Sequence, residues 1–457
     1  METATTPPIP LYYQTTPDTP EQWTPILSKS CTFTQEIFTS VMHEMILNPN
    51  YNSSWILRAD ILSDSPAPPL QLEAGILGPM QIPNFTPNRT ILRRFIPRNP
   101  QRDAAAEQTC TFYEEGQDRH ALVVYQSHSE TPGGLPYYLP TVRALAFQYS
   151  QDGEDSKSVS IYYRLFPDVP LNNRLERTAL HLLTRIHKLG NGFTAGYNKR
   201  VHHDQIIPRE TFQTTYLSLR ERHAKRLIGK WVENTDPGKH VFEDILIAAF
   251  LIELWKDMGR SLEAGFVDIG CGNGVLVDIL IKEGYAGWGF DARRRKTWGV
   301  LGSSTEQNLH EMVLIPRLLD GSVDDGIHDG VFPAGTFIIS NHADELTPWT
   351  PLLAKDSECP FLMIPCCSHD LSGRRHRQAG KGSQYACLVE WVAKLAGDVG
   401  WEVEREVLRI PSTRNVGIVG RKIGEGMKVE EILRREGGGS GWSERALSLK
   451  AGGNKGH

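Results

Sequence analysis

Residues 266–277 read Phe-Val-Asp-Ile-Gly-Cys-Gly-Asn-Gly-Val-Leu-Val: an apolar run, a glycine-rich turn and a second apolar run. The first run predicts a buried strand that ends near Ile269, and the second run predicts an amphipathic helix. Gly270, Gly272 and Gly274 allow the backbone to turn tightly and to lie flat against a ligand. The N-terminus of the helix presents free N–H groups to that ligand. The stretch therefore predicts a nucleotide-binding βα turn.

A second acid supports this interpretation. Asp291 follows the apolar run Gly287–Phe290 and lies 21 residues beyond Gly270. An acid at about that spacing can bind both hydroxyls of an adenosine ribose. A glycine-rich turn without a ligand is the alternative, and in that case Cys271 is only a small residue in a tight loop.

The glycine spacing distinguishes between nucleotides. The dinucleotide fingerprint is GxGxxG, whereas this chain has GxGxG with Asp268 two residues before the first glycine. That pattern resembles the first motif of Rossmann-like methyltransferases, in which the acid helps to organise the methionine end of the ligand. The resemblance implies S-adenosylmethionine as cofactor, bound by Asp268, Gly270, Cys271, Gly272, Asn273, Gly274, Asp291 and Asn341.

Outward from this turn, short apolar runs alternate with helical stretches, which is typical of an α/β fold with a largely parallel sheet. The runs Glu402–Ile410 and Val416–Gly420 are too close for an intervening helix, so we expect an antiparallel pair at the sheet edge. Residues 61–100 contain many prolines and are expected to be loop-like. We predict five regions: a disordered arm (1–25), a mixed α+β N-terminal region (26–170), a helical, basic connection (171–260), a Rossmann-like methyltransferase domain (261–424) and a flexible Gly-rich tail (425–457).

A second loop, Asn341-His-Ala-Asp-Glu-Leu-Thr-Pro-Trp349, follows the strand Thr336–Ser340. Ligands in open α/β sheets bind beyond the carboxyl ends of the strands, so this loop should face the transferred methyl group. Methyl transfer requires alignment of the two reactants, and a hydroxyl acceptor profits from a general base. Asp344 is the first candidate, then Glu345, then His342. Alternatively, either acid caps a helix that starts near Thr347.

Cysteines follow the next strand, in Cys366-Cys-Ser-His-Asp370. They should line the same crevice. A zinc site would need two further ligands at close spacing, for which His369 and His376 are candidates, but the pattern matches no known structural zinc site. We therefore predict no metal.

Composition limits the class of protein. The chain has 457 residues, seven cysteines without a regular framework, and a formal net charge of −5. These cysteines indicate free thiols in a reducing compartment. The sequence has neither a secretory signal nor 18 continuous apolar residues, so we expect a cytoplasmic protein without a membrane span, and a nuclear location stays possible.

Positive charge is concentrated in three segments: Arg185 to Lys230, Arg293 to Lys296, and Arg374 to Lys381. The last two should lie at the carboxyl rim of the sheet, where they suit a polyanionic substrate bound through its phosphates. A solvated helix surface is the alternative. The candidates for RNA contact are Lys199, Arg200, Arg293, Arg294, Arg295, Lys296, Arg374 and Arg375.

Five long and unusual strings lie between residues 160 and 420: Tyr197–Asp204, Trp231–Leu251, Phe266–Trp298, Ser340–Trp349 and Ile364–Cys367. Together they resemble the eukaryotic tRNA (uracil-2′-O-)-methyltransferases, which modify uridine 44 of serine tRNAs. The resemblance implies a tRNA substrate and a 2′-O-methyluridine product. The Lys-Asp-Lys-Glu tetrad of many ribose methyltransferases has no counterpart here, which leaves the base open. A methyltransferase of protein or small molecules, and a non-catalytic RNA-binding scaffold, are the competing hypotheses.

Overall fold

The computed structural model describes residues 11–16, 19–66, 77–115, 120–152, 156–196, 203–259, 264–319, 326–375 and 382–450. The chain divides into two compact units, Met1–Lys199 and Arg200–His457. In the described part of the chain, no helix has the length and apolar character needed to cross a membrane.

The first unit is built on a seven-stranded antiparallel sheet with two helices. Its elements are β1 (Tyr12–Thr16), β2 (Thr19–Gln22), β3 (Thr24–Ser30), α1 (Gln35–Leu47), β4 (Ile56–Pro66), β5 (Phe85–Pro97), β6 (Ala106–Glu115), β7 (His120–Ser127), β8 (Ala144–Gln151), β9 (Lys157–Arg164) and α2 (Asn173–Thr194). The strand order is β3-β9-β8-β7-β6-β5-β4, and β1 pairs separately with β2. The sequence pattern predicts a helix over 34–46 and strands over 121–125, 141–149 and 158–165, and α1, β7, β8 and β9 confirm them.

Helix α2 illustrates why the local sequence forms these elements. The Asn172 side chain accepts hydrogen bonds from the backbone N–H groups of Arg174 and Leu175, both at 3.1 Å, and so caps the helix. Leu183 and Ile186, on one apolar face of α2, are buried in a core cluster with Phe38 of α1 and with residues of the sheet. The N-terminal α+β region thus has its own core.

Two predictions for this unit were wrong. The arm over 1–25 was expected to be disordered, yet its described residues form β1, β2 and the start of β3, because Leu11 and Trp23 are buried in an apolar cluster. The proline-rich stretch 61–100 was expected to be loop, yet it contains β5, which accommodates Pro87 at a register shift in its pairing with β6.

The second unit contains a seven-stranded sheet flanked by helices. Its elements are α3 (Arg209–Gly229), α4 (Pro237–Asp257), β10 (Phe266–Ile269), α5 (Val275–Lys282), β11 (Gly287–Asp291), α6 (Trp298–Leu301), α7 (Ser303–Glu306), β12 (Leu309–Glu311), β13 (Val313–Leu314), β14 (Ile327–His328), β15 (Phe337–Asn341), α8 (Thr350–Asp356), β16 (Phe361–Ile364), α9 (Gln384–Asp398), β17 (Trp401–Val407), β18 (Val416–Ile423), α10 (Val429–Arg435) and α11 (Trp442–Lys450).

The sheet order is β12-β11-β10-β15-β16-β18-β17, and the first five strands are parallel. Strand β18 pairs antiparallel with both β16 and β17, which confirms the predicted pair at the edge. Because β10 lies between β11 and β15, the strand order reverses beside β10. Such a reversal opens a crevice at the carboxyl ends of the strands.

The boundaries of the other regions differ from expectation. The helical region predicted over 171–260 is divided between the units, since α2 belongs to the first and α3 and α4 to the second. The predicted flexible tail is ordered over 425–450, where it forms α10 and α11. Trp442 is buried there and donates its indole N–H to the Leu314 carbonyl at 2.8 Å. Residues 451–457 of that tail lie outside the described residues.

Candidate cofactor and substrate cavity

A cavity of about 1040 Å³ lies in the second unit and is lined by residues at the carboxyl ends of β10, β11, β15 and β16. Most of the predicted site residues that the structure describes line this cavity: Asp268, Gly270, Cys271, Gly272, Asn273, Asp291, Arg293, Arg295, Asn341, His342, Asp344, Glu345 and Arg375. Gly274, Arg294, Lys296 and Arg374 are described but do not line it, and Lys199 and Arg200 lie outside the described residues.

The glycine loop has the left-handed backbone that its sequence predicts. Gly270, Gly272 and Gly274 have φ angles of 73°, 52° and 74°. A Cβ atom on Gly274 would lie 2.7 Å from Leu309 Cδ1, whereas a Cβ atom on Gly272 would have no neighbour within 4 Å. Gly274 is therefore needed for packing, and Gly272 leaves open space for a ligand.

Asn273 and Cys271 have structural partners in this loop. The Asn273 side chain accepts a hydrogen bond from the backbone N–H of Val275 at 2.8 Å, at the start of α5. Cys271 packs beside Gly289 of β11, and burial raises the pKa of its thiol well above the usual range. A protonated, buried thiol of this kind fits the interpretation of Cys271 as a small residue in a tight loop.

Asp291 fastens the loop to the next strand. Its carboxylate accepts hydrogen bonds from the backbone N–H groups of Gly272 at 3.0 Å and Arg293 at 3.2 Å. The Arg295 guanidinium lies 3.9 Å away. Since each carboxylate oxygen can accept more than one hydrogen bond, Asp291 retains capacity for ribose hydroxyls.

Asp268 is the most deeply buried acid of the cavity. Its side chain is 1% exposed, and one carboxylate oxygen has no hydrogen-bond partner among the described residues. Burial, with the nearby carboxylates of Asp244 and Asp291, raises its pKa well above the usual range. An isolated buried carboxylate is costly. This acidic environment fits the expected cofactor, which carries a sulfonium and an ammonium group.

The loop after β15 is strained. His342 and Asp344 have φ angles of 52° and 44°, which non-glycine residues rarely adopt. Such strain tends to occur at functional sites. The loop continues into a 3-10 helix over Asp344–Trp349, and no side chain caps the start of that helix. The capping alternative for Asp344 and Glu345 therefore has no support from this geometry.

The three candidate proton acceptors have different partners. His342 Nε2 lies 3.1 Å from a carboxylate oxygen of Glu243. Glu345 accepts a hydrogen bond from Arg445 Nε at 2.9 Å. Asp344 is exposed and accepts a hydrogen bond from the Cys366 thiol at 3.0 Å. Of the three, Asp344 has the carboxylate that is both accessible and not bound to a cationic side chain.

The cysteines lie beside Asp344. One ligand atom each from Cys366, Cys367 and Asp344 lies within 4.8 Å of the other two, a spacing that a metal ion requires. These side chains also form hydrogen bonds with one another, from the Cys366 thiol to Asp344 and between Cys366 and Cys367. The hydrogen bond with Cys367, burial and Asp344 together raise the pKa of the Cys366 thiol above the usual range. His369 lines the cavity and is buried, whereas His376 lies outside the described residues.

The basic segments contribute unequally. Arg293, Arg295 and Arg375 line the cavity, but Arg294 forms an ion pair with Glu306 on the surface. Sequence reasoning missed Arg414 and Arg445, which also line the cavity. It also missed Glu233, Glu243 and Asp244. The adjacent acids Glu243 and Asp244, directly before the apolar run of α4, were the available signal for this part of the site, whereas Arg445 lies in the segment that was expected to be flexible.

Two protein-family models match this chain, and one of them agrees with the site. Residues 206–316 match the family model "Predicted AdoMet-dependent methyltransferase", and residues 3–200 match "TRM44-like, N-terminal bet v1-like domain". The chain is an S-adenosylmethionine-dependent methyltransferase with a bet v1-like N-terminal domain.

Curated relatives define the family. The chain is 45% identical to a tRNA (uracil-O(2)-)-methyltransferase of Neurospora crassa, over 96% of this chain and 95% of the relative. Proteins of the same name from Yarrowia lipolytica and Schizosaccharomyces pombe are 39% and 38% identical, over 94% and 99% of this chain and 96% of each relative. The chain belongs to the tRNA (uracil-O(2)-)-methyltransferase family.

Proposed function

We propose that this protein transfers the methyl group of S-adenosylmethionine to the 2′-hydroxyl of a uridine in tRNA, at position 44 of serine tRNA, in the cytoplasm. Its second unit is then a Rossmann-like methyltransferase domain. The carrying observation is that one cavity brings together the glycine loop, with Asp268 and Asp291, and the exposed carboxylate of Asp344. The names of the relatives support the tRNA substrate.

When bound, the cofactor would supply a methyl group activated on its sulfonium sulfur, so that the ribose oxygen would bond to the methyl carbon in line as the carbon–sulfur bond breaks. The protein mainly has to align the two reactants. Asp291 and the glycine loop would hold the nucleoside end of the cofactor, and Asp268 would face its methionine end. The loop after β15 holds the acceptor.

Asp344 takes the proton that the 2′-hydroxyl loses as its oxygen bonds to the methyl carbon. Its carboxylate is accessible, and the Cys366 thiol holds one of its oxygens. His342, paired with Glu243, and Glu345, paired with Arg445, fix the shape of the loop on either side. A general base placed in this way contributes typically 10²–10⁴-fold to the rate, as an order of magnitude.

The arginine side chains that line the cavity suit the phosphates on either side of the reacting ribose. Arg293, Arg295, Arg375 and Arg414 come from three separate loops. Phosphate contacts position a nucleic acid without reading its sequence. Their removal should weaken tRNA binding and lower its dependence on salt. The predicted contacts of Lys199, Arg200, Arg294, Lys296 and Arg374 would extend this surface beyond the cavity.

The test is methyl transfer from labelled S-adenosylmethionine to total tRNA, followed by nucleoside analysis. Wild type, Asp268→Ala and Asp344→Asn are compared with Asp257→Asn. The matched control changes an aspartate whose partner is Arg421, away from the cavity. We expect 2′-O-methyluridine from wild type and control. Asp268→Ala should lose cofactor binding, and Asp344→Asn should bind the cofactor but transfer slowly. Label in protein instead of tRNA would contradict the proposed substrate.

Substrate choice is tested with serine tRNA transcripts that carry uridine or cytidine at position 44. Label in the uridine transcript alone supports the site, whereas equal label in both places the modification elsewhere. Replacement of Arg375 with alanine should raise the tRNA dissociation constant without changing cofactor affinity. Arg374→Ala is the comparison, because Arg374 does not line the cavity. A larger rise in the tRNA dissociation constant for Arg375→Ala assigns the contact to the cavity edge, and an equal rise assigns it to the general basic surface.

A further inference from the structure

Asp244 is an acid within the apolar helix α4. It lies well inside the helix, and its neighbours Ile245, Ile247 and Ala248 are fully buried. The Asp244 side chain is itself only 8% exposed, and the exposed part lines the cavity. An acid in such a position has no capping role, since capping acids lie at the first turn of a helix.

The neighbours of Asp244 are amides and other acids. One carboxylate oxygen lies 3.5 Å from the Asn341 side-chain nitrogen, and Asn273 also donates to the carboxylate. Glu243 adjoins Asp244 on α4, and the charge of Asp244 in turn acts on Asp268 of β10. Among the described residues that shift the pKa of Asp244 or Asp268, none carries a positive charge. The two carboxylates therefore share a buried, acidic part of the cavity.

This arrangement is unfavourable in the empty protein. Burial, and then the charge of Glu243, raise the pKa of Asp244 to about 8. Buried charges in proteins are ordinarily paired or bound to a ligand. Perturbed acids in a cleft are typical of functional sites. A hydrophobic residue would pack here at lower cost, so the acids indicate a cationic ligand group that the protein itself does not supply.

We propose that Asp244, together with Asp268, forms the subsite for the α-ammonium group of the cofactor, and that a proton held by this pair in the empty cavity is released when the ammonium enters. This inference rests on the proposed cofactor-dependent function. Asn341 and Asn273 act as positioning residues, because their amide groups orient the Asp244 carboxylate. The released proton passes to solvent, and no bond of the cofactor changes.

The groups around the pair determine this proton exchange. Glu243 and His240 line the cavity from α4, Asp291 from β11, and His342 from the loop after β15. The Arg295 guanidinium also lines the cavity and lies 3.9 Å from Asp291. The acids outnumber the cations on this side, which favours a bound proton until another cation replaces it.

Calorimetry on the wild-type protein tests the proton release. S-adenosylhomocysteine keeps the amino-acid end of the cofactor, whereas 5′-methylthioadenosine lacks it. Each is titrated in buffers of different ionisation enthalpy at about pH 7, between the pKa of an ordinary Asp and that of the buried acid. We expect release of about one proton with S-adenosylhomocysteine and none with 5′-methylthioadenosine. Equal release with both, or none with the first, would overturn the proposal.

A variant tests the residue. Asp244→Asn keeps the shape of the side chain and one oxygen that can accept a hydrogen bond from an amide group. Asp257→Asn is the matched control at the end of the same helix. The first should weaken S-adenosylhomocysteine binding about tenfold or more, as expected for a lost charge-assisted contact. Binding of 5′-methylthioadenosine should stay unchanged in both variants.

The outcomes separate the possible roles of Asp244. An equal loss for both ligands would show that Asp244 is structural, and unchanged S-adenosylhomocysteine binding would exclude the contact. Should Asp244→Asn not fold, the wild-type proton measurement still decides. Binding of neither ligand to wild type would overturn the cofactor assignment together with this inference, whereas failure of tRNA methylation alone would leave the subsite standing.

Discussion

Replacing Gly274 with alanine is expected to destabilise the second unit far more than the same change at Gly272, although both glycines belong to one loop. Both have left-handed backbones, with φ angles of 74° and 52°. An alanine in that conformation costs about 1–2 kcal/mol. At Gly274 the new methyl group would also lie 2.7 Å from Leu309 Cδ1 and 3.2 Å from two atoms of the Trp298 ring.

These contacts with Leu309 and Trp298 set the difference in stability between the two variants. Overpacking of a tight core adds about 1–3 kcal/mol, so Gly274→Ala should lose about 2–5 kcal/mol in total. Gly272→Ala should lose only the backbone cost, because its methyl group meets open space. Trp298 donates its indole N–H to the Gly272 carbonyl at 2.9 Å, so a displaced Trp298 would also loosen the loop.

Chemical denaturation followed by tryptophan fluorescence measures this difference, since eight of the ten tryptophans lie in the second unit. Cofactor affinity should rank the variants in the opposite way. Gly272→Ala adds a methyl group where the cofactor is expected to lie, so it should weaken S-adenosylhomocysteine binding about tenfold or more. Equal destabilisation by the two variants, or an unchanged midpoint for Gly274→Ala, would refute the packing argument.

Three further predictions follow from the second unit. Burial raises the pKa of Asp244 to about 8, so the folded state binds this proton more tightly than the unfolded state, and stability falls as pH rises from the ordinary Asp range towards that value. Asp244→Asn should therefore raise the melting temperature of cofactor-free protein at about pH 8, and by less at about pH 5. A gain in melting temperature that does not depend on pH would contradict this sign. Trp442→Ala should cost about 3–5 kcal/mol by leaving a cavity, with Leu447→Ala, whose side chain is exposed, as a nearly neutral control in the same denaturation assay. Arg445→Ala and Glu345→Gln should lower the transfer rate to a similar extent, and their double mutant should be no worse than either alone, because they form one ion pair; additive losses would show that the pair does not act as a unit.

The cofactor loop was predictable because its determinants are local. The apolar runs, the glycine spacing and the acid 21 residues beyond Gly270 all lie within two neighbouring βα units. The parallel sheet and its antiparallel edge were predictable for the same reason, since each strand is a short apolar run between turns. The loop after β15 could be placed because parallel strands end on a common edge of the sheet.

Contacts between distant segments could not be predicted in this way. Asp244 meets Asn341 only because α4 packs beside the sheet, and the sequence separation of 97 residues leaves no local sign of that meeting. Arg445 reaches Glu345 from a segment whose glycines suggested flexibility. Those glycines instead form left-handed turns at Gly437, Gly438 and Gly441. The proline-rich stretch 61–100 was predicted to be loop but contains a strand, because one register shift allows β5 to include Pro87.

The involvement of α11 in the cavity makes the catalytic unit indivisible. Cavity residues extend along the chain from Trp231 to Leu449, so the site is complete only when the whole second unit has folded. The segment that matches the methyltransferase family model, 206–316, contains the glycine loop but neither Asp344 nor Trp442. A permuted or split form of this unit would have to bring α11 back onto β13 before any ligand could be enclosed. Insertions are therefore better tolerated at an exposed turn outside the cavity, such as Gly284 between α5 and β11, than near residue 440.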